Sequence, residues 1–413
     1  MGGGNEFRPP PLLPSILSRM RAVMPQVVEI RNADDPRDVI HRACQLLAEG
    51  QLVALPTETA YIVVASSLCE PGVQRLQSLL MGQERLAEGR AALVLKSAEE
   101  AHDYLPNMPV PADRLARRAW PGPLTMEFSA AAWGELFDRL PAATRRLLGE
   151  EPAAASDGLV SSLSSVVAVR VAVHEVLRHV QRLSPAPLIA IADIGATRPL
   201  PRSAVDVVAR FGDAVALIID DGPCRYGEPT TTIRIEGDRW RLLDSGIISP
   251  LNIDRLTSEI FLFVCTGNTC RSPMAEALFR HHLARRLKCA DDDLMDRGYA
   301  VLSAGLSAHS GGSASEESIA ALANDGIDLR SHESQPVTSR LLQHADHIIT
   351  MTRGHQQAIT DEHPELTARV RMLSPERSDV LDPYGGGPRE YQDCKQEIEH
   401  HVRRLVEQIP LNH

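Results

Sequence analysis

No uninterrupted apolar run in this chain approaches the ~18 residues a membrane-spanning helix requires, so a soluble protein without a membrane partner is expected. Positive charge is in deficit too: 43 Lys and Arg stand against 54 Asp and Glu, a formal net charge of -11. Such a surface repels a phosphate backbone or an anionic bilayer, which disfavours direct nucleic-acid binding and leaves room for a local anion pocket. Cysteine is sparse. The seven, at 44, 69, 224, 265, 270, 289 and 394, show neither the dense even spacing of a secreted disulfide scaffold nor paired CxxC zinc ligands. A reducing, cytoplasmic compartment is the expectation. No fixed-period repeat is seen.

A length of 413 residues suggests roughly two to three domains. Residues 1–25 are rich in Pro and Gly, which oppose a helix, and read as a flexible leader. Residues 26–249 alternate helical patterns such as "PRDVIHRACQLLAEG" with apolar runs such as "LVAL", "AALVL" and "VVAVRVAV", the sign of an α/β sheet with covering helices. Two β-like runs around Glu236-Gly237-Asp238 close this half, and residues 250–258 read as a linker. Residues 259–413 then open on Ile260-Phe261-Leu262-Phe263-Val264, suited to a central parallel strand buried on both faces. "AVLSAG", "HIITM" and "VRMLS" alternate with helical stretches after it. That pattern predicts a doubly wound parallel domain, whose ligands sit at the carboxyl ends of its strands.

One such end carries "VCTGNTCRSP", residues 264–273. A strand, a Cys, five residues, an Arg and a helix can wrap an oxyanion: backbone N–H groups turn inward and the helix N-terminus adds partial positive charge. Thr266, Gly267, Asn268, Thr269 and Cys270 would form the cradle. A thiolate at Cys265, supported by loop amides and the Ser272 hydroxyl, is a nucleophile. Arg271 offers a planar fork for two phosphoryl oxygens. The leaving group still needs a proton, and "DVLDPYGGG" offers Asp382 as acid, Tyr384 to line the entrance and Asp379 as the weaker carboxylate.

"VCTGNTCRSPMAEA", "SAGLSA", "GIDLRSHESQPVT" and "DPYGG" occur in the order and spacing of the low-molecular-weight protein phosphatases, which residues 259–413 resemble. The resemblance implies a phosphocysteine intermediate on Cys265, phosphoryl binding by Arg271 and acid-then-base action by Asp382, with no metal or other cofactor. Its partner would be a phosphorylated protein. Thr269 resembles the bacterial protein-arginine phosphatases, where tyrosine-specific members commonly have Ile, so phosphoarginine is expected ahead of phosphotyrosine.

Residues 26–249 resemble the threonylcarbamoyl-adenylate synthases of tRNA modification, on "PTETAY" at 56–61, "WPGPLT" at 120–125, "VAVRVA" around Arg170 and Thr230-Thr231-Thr232. That implies a twisted mixed sheet around a concave cavity. The family's charged nucleotide clamp is replaced, however. Met81-Gly82-Gln83 stands for its Lys-x-Arg, Ile191-Ala192-Asp193 for Ser-Ala-Asn, Tyr61-Ile62 for Tyr-Gly and Asp244-Ser245-Gly246 for Arg-x-Gly. Losing cationic phosphate ligands and gaining acids makes a triphosphate unwelcome, so a degenerate domain is expected. The alternative is retained binding of ATP or another small ligand, with threonylcarbamoyl-adenylate synthesis as the chain's activity.

Overall fold

The computed structural model describes residues 25–81, 91–129, 132–149, 166–191, 199–376 and 378–410. Of the expected leader, only its last residue falls within them. Two compact units emerge: residues 1–96 with 135–230, and residues 97–134 with 231–413.

The first unit opens with β1 (Gln26–Glu29), α1 (Pro36–Ala48), β2 (Val53–Pro56), β3 (Tyr61–Ser66), α2 (Glu70–Met81) and β4 (Ala91–Val94). The chain then gives α3 (Ala98–Tyr104), α4 (Val110–Ala119) and β5 (Leu124–Ser129) to the second unit. It returns to the first for α5 (Glu135–Asp138), α6 (Ala142–Leu147), β6 (Val166–Arg170), α7 (Glu175–Leu183), β7 (Leu188–Ile191), α8 (Ala204–Phe211) and β8 (Leu217–Asp220). In the first unit the strands run β1-β8-β2-β3-β7-β4-β6, with parallel pairs such as β1 with β8 and antiparallel pairs such as β2 with β3. The mixed sheet is covered by amphipathic helices. In α1, Asp35 caps the Arg37 N–H, Pro36 fits the first turn, and Ile40, Ala43, Leu46 and Leu47 face the core, the spacing of one helical face.

The rest of the second unit begins with the hairpin β9 (Thr231–Glu236) and β10 (Arg239–Asp244), turning at Gly237 with φ 62° as the turn residues predict. Next, α9 (Pro250–Thr257) occupies the stretch read as a linker, with Ser249 capping the Asn252 N–H and Ile253 buried. Then come β11 (Glu259–Cys265), α10 (Arg271–Leu287), β12 (Tyr299–Gly305), α11 (Glu316–Ala323), α12 (Ser339–His344), β13 (His347–Thr350), α13 (Arg353–Glu362), β14 (Val370–Met372) and α14 (Pro388–Glu407). All pairings among these four strands are parallel, in the order β12-β11-β13-β14. Phe261 and Phe263 pack with Phe279 and Ile398 on one face, while Leu262 and Val264 pack with Ile348 and Ile359 on the other. Strand β11 is therefore buried on both sides, as its unbroken apolar run predicts. From β11 the chain goes to one neighbour first and later to the other. That makes its carboxyl end the switch point at which ligands bind in open parallel sheets, and Cys265 is the residue there.

No helix among the described residues is long and apolar enough to cross a membrane.

Candidate active site

Cys265 closes β11 and is 2 % exposed. Its sulfur accepts the Asn268 backbone N–H at 3.2 Å and lies 3.0 Å from the Ser272 hydroxyl. The loop reverses tightly because Asn268 adopts φ 55°, a left-handed conformation that Asn tolerates better than most residues. Its side chain ties three segments together: Nδ2 donates to Ser272 Oγ at 3.0 Å and Ser303 Oγ at 2.9 Å, and Oδ1 accepts the Gln335 N–H at 2.8 Å. The Asn268 carbonyl lies 2.8 Å from His332 Nε2. Close approach to β12 depends on Gly305, where a Cβ would sit 2.5 Å from the Thr266 carbonyl. Helix α10 starts at Arg271 with Pro273 in its first turn, so the unpaired amides of a helix N-terminus adjoin the loop.

Arg271 is 5 % exposed. One guanidinium nitrogen donates to the Val380 carbonyl at 3.2 Å, and the other donates to Asp382 Oδ2 and lies 3.5 Å from Thr266 Oγ1. The remaining Asp382 oxygen accepts the Tyr384 N–H at 3.2 Å, a turn that fixes the carboxyl at the rim. Tyr384 itself is 79 % exposed beside the equally open Leu381. Asp379 is committed elsewhere, accepting the Arg353 N–H at 2.7 Å at the start of α13. Asp382 is thus the carboxylate joined to the Cys-to-Arg loop.

Thr269 is half-buried, with its hydroxyl 3.5 Å from Cys270 Sγ and its carbonyl accepting the Ser315 N–H at 2.9 Å. Cys270 is buried, its thiol 3.3 Å from the Tyr391 hydroxyl. Burial, with Cys270 beside it, pushes that hydroxyl up to about 12. Ser303, His332, Gln335, Glu276 and His355 join the site without a signal in the sequence pattern. Ser303 donates to Glu276 Oε2 at 2.6 Å, and burial raises the Glu276 carboxyl above its usual range. His355 Nε2 lies 2.9 Å from Thr266 Oγ1. Of these, Glu276, Ser303, His332 and Gln335 fall inside the quoted motifs, but nothing in their spacing announces that Ser303, His332 and Gln335 meet Asn268, or that Glu276 meets Ser303. All seven cysteines are free. Among the described residues no cluster of three or more His, Cys, Asp or Glu could hold a metal.

The family described as "Low molecular weight phosphotyrosine protein phosphatase" matches residues 260–412. The chain is 37 % identical over 152 residues to the protein-arginine-phosphatase of Bacillus subtilis (strain 168), covering 36 % of this chain and 95 % of that one. It belongs to the low-molecular-weight phosphatase family. A second member, the low molecular weight protein-tyrosine-phosphatase of Streptomyces coelicolor, is 33 % identical over 150 residues, 33 % of this chain and 85 % of its own. The phosphatase portion is accordingly that of a cysteine-dependent hydrolase. The first half has its own match: the Sua5, YciO and YrdC family, described as "Telomere recombination", over residues 45–246. There the chain is 30 % identical over 221 residues to the threonylcarbamoyl-AMP synthase of Pyrococcus abyssi, 54 % of this chain and 58 % of that synthase.

In the first unit the "PTET" residues are packed inward. Arg170, 3 % exposed, donates to Glu58 Oε1 at 3.0 Å and Thr59 Oγ1 at 2.8 Å, while Glu58 Oε2 accepts the Val173 N–H at 2.8 Å. Tyr61 donates to Asp220 at 3.0 Å, and Ile62, at the Tyr-Gly position, is buried at 2 % exposure. The substituted positions 82, 83, 192 and 193 lie outside the described residues.

Proposed function

We propose that residues 259–413 form a protein phosphatase acting on phosphoarginine, with phosphotyrosine as the lesser substrate, behind a degenerate synthase-like domain at 26–249 and a junction at 250–258. The observation that supports it is the convergence of Cys265, the Asn268 amide, Ser272, Arg271 and Asp382 at the carboxyl end of β11. In the first step the Cys265 thiolate attacks phosphorus, an S–P bond forms and the P–N bond breaks. Asp382, as the acid, gives its proton to the leaving guanidine nitrogen. Water then attacks the phosphocysteine, Asp382 takes the water proton, and inorganic phosphate leaves as the thiolate is restored. Arg271 and the loop amides at 266–270 bind the phosphoryl oxygens throughout, with Ser272 supporting the thiolate. A phosphoryl group entering the loop competes with Asp382 for the Arg271 fork, which frees the carboxyl to face the leaving group. Tyr384 forms the rim against which the substrate side chain lies. No metal or other cofactor takes part.

A cytoplasmic phosphoprotein is the partner this reading requires. The second reading is nucleotide chemistry in the first half, and the likeness there to a threonylcarbamoyl-AMP synthase favours it. Against it stands the sequence of the clamp positions, where Met81-Gly82-Gln83, Ile191-Ala192-Asp193 and Asp244-Ser245-Gly246 offer no cation to a triphosphate and add acids. One experiment separates the two: turnover of phosphoarginine and phosphotyrosine peptides by the full chain, with calorimetry against ATP. Phosphatase turnover without ATP binding is expected. ATP binding with no phosphatase turnover overturns the reading.

A further inference from the structure

His355 takes no part in the steps above, yet it touches the loop. It stands in the first turn of α13, where Thr352 Oγ1 accepts its backbone N–H at 3.2 Å, so the helix start sets where the ring goes. The ring is buried at 8 % exposure, with Nε2 2.9 Å from Thr266 Oγ1. Nδ1 is enclosed and has no hydrogen-bond partner among the described residues.

That asymmetry decides which nitrogen holds the proton. A neutral imidazole has one N–H. Placed on Nδ1 it would be a buried donor without an acceptor, the rarer and costlier defect, whereas a bare acceptor there is better tolerated. Burial and the nearby Arg271 both depress protonation of the ring, against the weaker pull of Asp382 and Asp379. The proton therefore sits on Nε2 and is donated to Thr266 Oγ1. Arg271 brings a second N–H toward the same oxygen at 3.5 Å. With two donors aimed at its oxygen, the Thr266 hydroxyl must direct its own hydrogen elsewhere. Thr266 is exposed and follows Cys265 directly.

We propose that His355 is a positioning residue that makes the Thr266 hydroxyl a hydrogen-bond donor to a peripheral phosphoryl oxygen of the substrate, while the Thr266 oxygen steadies Arg271. The inference rests on the phosphatase reading of the loop. Such a contact forms on binding and persists through the reaction, so its loss raises KM and leaves kcat nearly unchanged.

The test is a double-mutant cycle in the full chain with a phosphoarginine peptide, inhibition by inorganic phosphate as a second readout, and nitrogen-15 NMR of the ring. Thr266→Val and His355→Phe are each expected to raise KM and the phosphate inhibition constant by about 5-fold or more, the loss of one net hydrogen bond. The double variant should be no worse than Thr266→Val alone. His355→Gln, whose amide N–H lies near the place of Nε2, should recover much of the loss. Effects of His355→Phe that persist in full beside Thr266→Val overturn the proposal, as does an Nδ1–H tautomer in the wild-type spectrum. The spectrum decides even where His355→Phe fails to fold. Absence of wild-type turnover would instead strike the phosphatase reading, so the two failures are distinct.

Discussion

Asn268 Nδ2 lies 2.9 Å from Ser303 Oγ, which joins the Cys-to-Arg loop to the end of β12 across 35 residues of sequence. The same side chain reaches Ser272 and the Gln335 amide, and its backbone N–H faces the Cys265 sulfur. Asn268→Ala leaves these buried groups short of partners and holds a Cβ residue at φ 55°. A loss of about 2 to 4 kcal/mol is expected from the left-handed backbone and the unpaired groups together. Asn268→Gly keeps the backbone easy, so its remaining deficit isolates the side-chain bridges. Urea melts report the stability of both variants, and phosphate inhibition reports whether the cradle survives.

The proposed nucleophile and acid separate cleanly by leaving group. Cys265→Ser should abolish turnover while retaining phosphate binding, since Arg271 and the N-terminus of α10 remain. Asp382→Asn should slow intermediate formation most for poor leaving groups, because an amide cannot donate the proton. A series of aryl phosphates of graded leaving-group acidity checks this. Equal slowing across the series contradicts the acid role.

What could be read from the sequence follows from how local each feature is. The Cys265-to-Ser272 loop is one continuous stretch between a buried strand and a helix, so its residue order already encodes its geometry. The apolar runs at 260–264 and 347–351 likewise announced strands β11 and β13. Ser303, His332, Gln335 and His355 reach the loop from other segments, and no spacing rule links positions that only the fold brings together. The stretch read as a linker is α9, and its signals were present: Ser249 before Pro250 is a helix start, with Ile253 on the inner face. The Pro and polar residues around it masked a short amphipathic turn.

Asp346 predicts the acid stability of the second unit. It pairs with Arg118 at 2.6 Å, Arg117 at 2.7 Å and Arg114 at 3.2 Å, all from α4. Arg118 also donates to the carbonyls of His344, Leu256 and Ser258, which satisfies a guanidinium only 1 % exposed. Burial alone raises the Asp346 carboxyl, but Arg118 and Arg114 more than offset it, and the net value lies below the usual range. The folded value is therefore below the unfolded one. The contribution is complete above about pH 4 and is lost as the pH falls below it. Asp346→Asn should cost about 3 kcal/mol at neutral pH, the scale of a broken buried pair, and the gap from wild type should narrow under acid. Tm against pH for both proteins measures it; a gap independent of pH excludes the ion pair as the cause.

Substrate choice is expected to turn on Thr269. The residue is half-buried in the loop, and a Cβ on Gly267 would lie 3.5 Å from its hydroxyl. Its hydroxyl also lies 3.5 Å from Cys270 Sγ, and a thiol is a weak enough partner to leave it able to bond elsewhere. Phosphoarginine brings polar N–H groups beside phosphorus, and burying one unpaired costs on the order of 1 to 3 kcal/mol. A hydroxyl in the wall avoids that cost, whereas an Ile wall favours a phenyl ring. Sites that answer a polar group discriminate more strongly than apolar pockets do. Thr269→Ile is therefore expected to lower kcat/KM for a phosphoarginine peptide by about 10-fold or more, equivalent to ~1.4 kcal/mol, while phosphotyrosine turnover holds or rises. The Ser315 bond to the Thr269 carbonyl does not depend on the side chain, so the loop path should survive the change. Parallel loss on both substrates would mean that Thr269 supports the loop and leaves the choice of substrate to other residues.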